Sequence, residues 1–390
     1  MLPQLYLEEL HTQDFRNLRE QILKFHPKLT VIQGNNGQGK TNILEAIFTL
    51  LRGKSFRKNT DFAQLLSMSA DRPKFLLQGR PNVMGKAHAI TQEWEMRVDQ
   101  KVYKRISFDG ESQAKLSKFP CIMVQPQSAY MFFNYAQERR EWLDHAIEQQ
   151  NLVYGKILKK FEKLKYFKSQ LLKKGNPLRY DNLNQPELLS QINFLNLELA
   201  RVSKLITLHR CEFLEKINDK VIHNFQKLFD QSLILNLQLS SLFVGKTETD
   251  IVQMYSEKWQ DEWKRQKILI GPHLDDLCIQ SRLGSFENNA SMGQQKMAFL
   301  SLQFALLSHY VNIFQGMSPI LLLDDISSEL DSERWKNLIE YLRSYPIQMM
   351  MTTARANGEI LPIDESSYSL ITVNNGRLES NQKISEVDLT

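Results

Sequence analysis

The sequence has few of the features that mark an exported or membrane protein. Its 390 residues include only three cysteines, Cys121, Cys211 and Cys278, which lie far apart and lack the spacing of a disulfide pair or a metal site. No stretch approaches the ~18 uninterrupted apolar residues of a membrane span, and the N-terminus lacks the basic region and apolar run of a signal peptide. We therefore expect buried, reduced thiols and a soluble, cytoplasmic protein with no membrane contact.

The sequence also lacks a strong bias toward polar residues or toward charge of one sign. Hydrophobic residues make up 42% of the chain and charged residues 24%, so the composition gives no indication of a disordered protein. The length predicts roughly two or three folded units. The net charge of +5 permits nucleic-acid binding without requiring it, so the position of the basic residues matters more than their sum.

The most specific motif lies between residues 31 and 46, VIQGNNGQGKTNILEA. It fits Gly-x-x-x-x-Gly-Lys-[Ser/Thr], with a strand-like apolar run before it and a helical pattern after it. Such a loop binds a triphosphate, because its backbone N–H groups and the helix N-terminus face the anion. Lys40 is expected to contact the β and γ phosphates, and the Thr41 hydroxyl is expected to bind Mg²⁺. The predicted nucleotide-binding residues are Gly34, Asn35, Asn36, Gly37, Gln38, Gly39, Lys40, Thr41 and Asn42.

Two other predicted strands end in polar residues. The run PILLL at residues 319–323 is followed by Asp324 and Asp325. In phosphate-loop enzymes the first such acid holds Mg²⁺, and the second can orient or deprotonate the attacking water. Gln125 follows the short apolar strand CIMV and is predicted to contact the metal or this water, so Thr41, Asp324 and Gln125 form the expected metal site and Asp325 and Gln125 the catalytic pair.

Hydrophobic periodicity indicates the order of the elements. Residues 5–32 predict an antiparallel hairpin that leads into the phosphate-loop strand, and residues 73–109 predict a second sheet packed on the first. Residues 137–229 have a helical period. Within them, two helices separated by Gly175 and Pro177 predict an antiparallel coiled coil, with legs of about 30 residues and about 45 Å.

One run of lysines and one arginine have two interpretations each. Residues 156–174 contain eight lysines and one acid, which is either the solvated face of a coiled coil or a surface for nucleic-acid phosphate. The unequal sign favours the second, and Lys156, Lys159, Lys160 and Lys163 are the predicted DNA contacts. Arg57, in the loop after the phosphate-loop helix, either contacts phosphate or DNA or is a solvated loop charge.

In combination the motifs resemble the ATP-binding cassette class of ATPases. The motif SMGQ at residues 291–294 resembles the signature of that class, so Ser291, Gly293 and Gln294 are expected to contact ATP. The 251 positions between Lys40 and Ser291, with a helical arm between them, resemble the chromosome-maintenance branch. The details GNNGQGKTN, GKSFR, GPHLDD, SMGQQK and LLLDDISSELD resemble the RecF family of DNA replication and repair proteins, from Leu5 to about Arg377.

This resemblance implies an α/β fold: an ABC-type ATPase head with mixed sheets around a phosphate-loop core and an inserted helical lobe carrying a short antiparallel coiled coil. Residues 1–135 and 233–390 would form the two halves of the head, and residues 136–232 the arm. The implied ligands are ATP and Mg²⁺. An ATP-dependent homodimer would clamp double-stranded DNA near single-strand gaps and, with RecO and RecR, promote RecA loading, with weak ATPase activity.

The sequence departs from the family pattern at three places. Leu274 stands where a basic residue is usual in GPHLDD, Gln127 stands where an acid usually follows the proline, and Thr352 and Thr353 occupy the region of the usual histidine. Slow hydrolysis is therefore expected. Two alternatives remain open: an ATP-gated DNA-processing enzyme of the overcoming-lysogenization type, although only a short tail follows Arg377, and a structural SMC-like ATPase without a DNA role.

Overall fold

A computed structural model describes residues 3–112, 119–174, 186–229, 232–282, 284–314, 317–354 and 368–382. The chain forms two compact units, the first from residues 1–128 and 306–390 and the second from residues 129–305. The division at residues 135 and 232 that the sequence predicts stays a prediction. In the described part of the chain, no helix is long and apolar enough to cross a membrane.

The first unit contains a seven-stranded antiparallel sheet with strand order β2-β1-β4-β6-β7-β8, and β5 pairs with β4. The prediction of a second sheet from residues 73–109 is wrong, because Leu10 of β1 pairs with Leu23 of β2 on one side and with Gly79 of β4 on the other. These strands thus extend the N-terminal sheet. Its strands are β1 (Leu5–Gln13), β2 (Gln21–Lys24), β4 (Lys74–Val83), β5 (Lys86–Ala87), β6 (Ile90–Met96), β7 (Val102–Phe108) and β8 (Glu111–Ser112).

A six-stranded sheet forms the other layer of the first unit, in the order β16-β15-β3-β14-β13-β9. Every pair in it is parallel except β15 with β16 at one edge. The central strands β13 and β14 are buried along their whole length, as expected for a parallel sheet covered on both faces. The strands are β3 (Leu29–Gln33), β9 (Cys121–Val124), β13 (Ile320–Leu323), β14 (Met349–Thr353), β15 (Ser369–Asn374) and β16 (Arg377–Gln382).

Helix α1 (Lys40–Arg52) joins the two layers. Its buried residues, among them Ile43, Ile47 and Leu50, belong to one hydrophobic core with Leu7 of the antiparallel sheet and Leu322 of the parallel sheet. The phosphate loop therefore leads into a helix that is fixed on two sides. The unit also contains α2 (Phe62–Leu65) and α10 (Ser332–Arg343), while α3 (Pro126–Asn134) and α9 (Met292–Ile313) include residues of both units.

The second unit is mainly helical, as predicted. Helix α5 (Leu152–Lys174) runs antiparallel to α6 (Pro186–Leu228), since Tyr154 contacts His209 while Lys168 contacts Asn196. Gly175 and Pro177 lie outside the described residues. Apolar residues along α6 are buried as a coiled coil requires, namely Ile192, Leu195, Leu199, Val202, Ile206 and Phe213. At 43 residues, or about 65 Å, α6 is longer than the predicted leg.

A third long helix packs beside this pair. It is α7 (Glu248–Arg265), which contains Trp259 and Trp263. Trp263 is buried in a cluster with Leu172 of α5 and Ile192 of α6. The helical region is therefore wider than a two-helix arm. The unit also contains α4 (Ala136–Gln150), α8 (Phe286–Asn289) and a sheet of β10 (Asn236–Ser240), β11 (Asp276–Ser281) and β12 (Gly284–Ser285).

Candidate nucleotide-binding site

The predicted site residues of the first unit lie at one edge of the parallel sheet. In register, Leu323 of β13 pairs with Val124 of β9 and with Met351 of β14, while Thr353 of β14 pairs with Gln33 of β3. The phosphate loop, Asp324, Gln125 and Thr352 therefore lie at the carboxyl ends of neighbouring strands. This edge is where ligands bind in open α/β sheets.

The phosphate loop requires glycine at two of its predicted positions because other chain segments approach closely. A Cβ on Gly34 would lie 2.5 Å from the Val373 carbonyl oxygen, and one on Gly39 would lie 2.8 Å from Asn17 Oδ1. No described side chain caps the first turn of α1, which begins at Lys40. Its free N–H groups can therefore bind an anion.

The Lys40 ammonium is folded back over this loop. Its Nζ donates to the carbonyl oxygens of Gly34 at 2.6 Å and Asn35 at 3.0 Å. Burial lowers the pKa of Lys40, and the negative charges of Asp325 and Asp324 partly oppose that effect. Phosphate oxygens carry a full charge and bind an ammonium more strongly than carbonyls do, so a triphosphate can replace these contacts.

The structure brings the three predicted metal-binding residues into direct contact. Asp324 accepts hydrogen bonds from Thr41 Oγ1, at 2.9 Å to Oδ1 and 3.1 Å to Oδ2, and from Gln125 Nε2 at 3.1 Å. Thr352, which the sequence reading did not place in the site, donates to Asp324 Oδ1 at 2.8 Å. Its one sequence signal is its position at the end of β14, in the region where the family histidine is missing.

These residues fit a magnesium ion. The described residues contain no group of three or more His, Cys, Asp or Glu side chains that could hold a metal by themselves. Mg²⁺ does not need one, because it is usually bound by one or two carboxylates, the substrate phosphates and water. The Asp324 carboxylate and the Thr41 hydroxyl are hard oxygen donors of the kind that this ion prefers. The Gln125 amide would supply a third by presenting its oxygen in place of the Nε2 that donates to Asp324.

The second acid, Asp325, has an unusual backbone conformation. Its φ of 50° lies in the left-handed region, which is uncommon for residues other than glycine. The Asp325 N–H donates to Thr352 Oγ1 at 2.9 Å, so the same threonine holds both acids. Non-glycine residues in this region are concentrated at functional sites. The catalytic role of Asp325 with Gln125 stays a prediction.

Arg57 is held against α1 by a residue that the sequence reading missed. Glu45 of α1 is fully buried, accepts two hydrogen bonds from Arg16 at 2.8 and 3.0 Å, and forms an ion pair with Arg57 at 3.4 Å. Arg57 also donates to Asn42 Oδ1 at 2.8 Å, next to Thr41. The interpretation of Arg57 as a merely solvated charge is therefore wrong. Whether it contacts phosphate stays a prediction.

The signature residues Ser291, Gly293 and Gln294 belong to the second unit. The Ser291 hydroxyl accepts from the Gln294 N–H at 3.2 Å, and Gln294 Oε1 accepts from the Ser291 N–H at 2.9 Å. This is a capping box for α9, a pattern that Ser-x-x-Gln could have indicated from sequence. A Cβ on Gly293 would approach no closer than 3.9 Å to Ser291 Oγ, so packing within the chain does not require glycine there.

The predicted DNA contacts are at the surface of α5. Lys156, Lys159, Lys160 and Lys163 are all exposed, and Lys160 forms an ion pair with Glu198 at 2.6 Å. A fifth lysine of the same run behaves differently. Lys168 is fully buried and forms an ion pair with Glu262 at 2.6 Å, so neither interpretation of the lysine run applies to it.

Comparison with known proteins gives consistent matches over nearly the whole chain. A family model described as "RecF/RecN/SMC N terminal domain" matches residues 6–377. Proteins named "DNA replication and repair protein RecF" are similar to this chain. The one from Geotalea daltonii is 27% identical, covering 95% of this chain and 99% of its own. The one from Staphylococcus aureus is 29% identical, covering 90% and 94%.

Solved structures show the same fold. One described as the recombination mediator protein RecF with ATP in the RecFOR pathway has a TM-score of 0.83 at 23% identity, covering 98% of this chain and 99% of its own. An Smc head bound to the C-terminal winged-helix domain of ScpA has a TM-score of 0.56 at 16% identity, covering 98% of each chain. The predicted fold class and the predicted resemblance are therefore confirmed.

Proposed function

Since this chain belongs to the RecF/RecN/SMC N-terminal domain family, we propose that it is an ATP-dependent DNA-binding protein of DNA replication and repair that acts as a recombination mediator. The observation that carries this proposal is the contact of Asp324 with Thr41 and Gln125 beside Lys40. Three segments separated by up to 283 residues supply one triphosphate and magnesium site. The names of the similar proteins support the role in DNA replication and repair.

Each site residue described above in the first unit has a role in the proposed binding and hydrolysis of ATP. The loop N–H groups and Lys40 bind the phosphates, and Thr41, Asp324 and Gln125 hold Mg²⁺. The ion would neutralise phosphate charge as the terminal phosphoryl group is transferred to water. Asp325 orients or deprotonates that water. Thr352 holds both acids by hydrogen bonds but, unlike histidine, cannot become an imidazolium, which is consistent with slow hydrolysis.

The signature residues are proposed to act on a second copy of the chain. Gly293 has no packing reason to be glycine, and although Ser291 caps the Gln294 N–H, the N–H groups that precede it in the first turn of α9 have no partner within the helix and can receive an anion. In a two-fold dimer, Ser291, Gly293 and Gln294 of one copy would contact the terminal phosphate held by Lys40 of the other. ATP binding would then close the dimer, and hydrolysis would allow it to open.

The proposed dimer binds DNA through the exposed lysines Lys156, Lys159, Lys160 and Lys163. It would clamp double-stranded DNA close to single-strand gaps and act in the cytoplasm with RecO and RecR to promote RecA loading. The head would be formed by residues 1–135 and 233–390, and the arm by residues 136–232. DNA would stimulate a weak ATPase activity through closure of the dimer.

Filter binding with duplex DNA at two salt concentrations, with and without ATP and Mg²⁺, tests this function. We expect retention of DNA that depends on ATP and falls steeply with salt. The Lys40→Ala variant should show no ATP-dependent gain. DNA cleavage would favour the ATP-gated DNA-processing alternative, and ATP-dependent dimers that retain no DNA would favour the structural one.

A further inference from the structure

The turn between β15 and β16, residues 374–377, contacts the phosphate loop. We call it the terminal turn. The Asn375 N–H donates to Gln38 Oε1 at 2.5 Å, and the Gly376 N–H donates to the Gln38 carbonyl oxygen at 2.8 Å. Gln38 thus has both its side chain and its backbone held by a segment 337 residues away in the chain.

The terminal turn is held from its other side by the connection between β1 and β2 and by the first residue of β2. The Gly376 carbonyl oxygen accepts from Gln21 Nε2 at 2.9 Å and from the Arg19 N–H at 3.4 Å. Gln21 Oε1 accepts from the Leu378 N–H at 3.1 Å. A single side chain therefore fixes the backbone on both sides of Arg377, and the turn cannot move independently of the antiparallel sheet.

Glycine at position 376 is required by close approach and not only by conformation. Its φ is 73°, and a Cβ there would overlap the Asn17 carbonyl oxygen. Two other hairpin turns of the first unit have glycine at almost the same φ, Gly85 at 82° and Gly110 at 81°, but a Cβ at either would meet nothing within 4 Å. Of these three turns, the terminal turn alone is packed against other backbone.

Gln38 lies at the point where the phosphate loop is most free to change conformation. Its neighbours Gly37 and Gly39 have φ values of 80° and 109°, and glycine has the fewest conformational restrictions of all residues. Asn35, Asn36 and Gly37 are exposed. Lys40 Nζ holds the Gly34 and Asn35 carbonyls, and Asn17 Nδ2 donates to the Gln38 carbonyl oxygen at 3.4 Å. The two bonds from the terminal turn are shorter than the Asn17 contact and are therefore the stronger restraints on Gln38.

We propose that the terminal turn is a positioning element for the phosphate loop. It fixes Gln38 and thereby keeps the loop N–H groups in the arrangement that binds a triphosphate. This inference rests on the proposed nucleotide site. Because coupling between two sites is reciprocal, a bound triphosphate stabilises the terminal turn by the same factor by which the turn strengthens binding.

The test compares Gly376→Asn with Gly85→Asn. Asparagine tolerates positive φ, so both variants carry a similar conformational cost, but only the first places a Cβ against Asn17. We expect Gly376→Asn to weaken binding of Mg-ATP, measured by isothermal titration calorimetry, roughly tenfold through the loss of two hydrogen bonds. Gly85→Asn should bind as the wild type does. Gln38→Met, which removes only the acceptor of the Asn375 N–H and leaves the sequence of the turn unchanged, should weaken binding by roughly threefold.

Amide hydrogen exchange on the wild-type protein gives a second measurement that needs no variant. ATP should slow exchange at Asn375 and Gly376 and leave the turn at Gly85 unchanged. Unchanged exchange at the terminal turn, or wild-type affinity in both Gly376→Asn and Gln38→Met, would overturn the inference while leaving the nucleotide site intact. Failure of the wild type to bind Mg-ATP, or equal binding by Lys40→Ala, would overturn the proposed function as well.

Discussion

Lys40 in the first unit and Lys168 in the second are the two buried lysines of the described residues, with 7% and 0% of their surface exposed. Burial lowers the pKa of both, because it disfavours the charged form. Their partners differ. Lys168 Nζ lies 2.6 Å from the Glu262 carboxylate and 2.8 Å from Asn196 Oδ1, whereas Lys40 Nζ is held by two backbone carbonyls.

This difference in partners distinguishes a buried lysine that stabilises the fold from one that is placed to bind a ligand. At Lys168 the opposite charge is supplied by the chain, the carboxylate is fully buried, and α5 and α7 are joined by the pair. At Lys40 the ammonium is bound only by dipoles at an exposed loop, with Asp324 and Asp325 nearby. Two lysines with similar burial can therefore be distinguished by asking whether the chain itself provides a counter-charge in hydrogen-bonding contact.

The largest effect is expected from breaking the structural pair. Glu262→Gln leaves the Lys168 ammonium buried without its carboxylate, which costs about 3–5 kcal/mol of the free energy of unfolding. Lys160→Met, which removes an exposed ion pair between α5 and α6, should cost less than about 1 kcal/mol. Urea unfolding measures both. Equal costs for the two variants would contradict the structural role of Lys168.

In the nucleotide site around Lys40, a substitution is expected to slow ATP turnover greatly without loss of ATP-dependent assembly. Asp325→Asn should still form dimers in ATP but hydrolyse it roughly 100-fold more slowly, because the amide cannot orient or deprotonate water as the carboxylate does. The matched control is Asp99→Asn in the exposed turn between β6 and β7. Phosphate release gives the rate, and unchanged turnover in Asp325→Asn would assign the water-orienting role to another residue.

Exposed lysines on the same helix as Lys168 provide a third contrast. The affinity for duplex DNA falls with salt, so a plot of log affinity against log salt concentration has a negative slope. Changing Lys156, Lys159, Lys160 and Lys163 to glutamine should make that slope less negative by roughly 3–4. Four exposed lysines of the first unit, Lys24, Lys28, Lys86 and Lys101, serve as the control set. If both sets change the slope equally, the lysines of α5 are only a solvated face.

The smallest effect is a pH dependence in the second unit. Burial, together with the positive charges of Lys165 and Arg140, lowers the pKa of His273 to about 4. Between its usual value near 6.5 and about 4, the unfolded chain gains a proton that the folded chain does not, so stability falls as the pH falls. His273→Gln should reduce the difference between urea midpoints at pH 7 and pH 5. A difference in His273→Gln as large as in the wild type would refute the assignment.

The site could be predicted from sequence where its residues are contiguous or end a clear strand. The phosphate loop, Gln125, Asp324 and Asp325 were identified because each follows an apolar run whose carboxyl end must reach the sheet edge. Thr352 and Glu45 were missed because their roles depend on partners at other strand ends or in later loops. The terminal turn was missed for the same reason, since its partner Gln38 is 337 residues distant.

The fold shows the same limit. Alternation of apolar residues in β1 and β4 indicates which face is buried but not which strands pair, so one sheet was predicted as two. The eight lysines of α5 have the same local pattern, which predicts a charged surface at every one of them, including the buried Lys168. The burial of Lys168 is decided by Glu262, 94 positions later on α7, and no local pattern contains that information.

The most direct test of the central claim, that the charge of Lys40 completes a site shared between two copies of the chain, is a mixing experiment with Lys40→Ala and Ser291→Arg. Each variant alone should fail to dimerise in ATP by light scattering and should hydrolyse little ATP. Mixed in equal amounts they can form heterodimers in which one site of two is intact, and because neither homodimer forms, ATPase activity should return to roughly half of the wild-type rate. A mixture as inactive as its components would contradict the shared site.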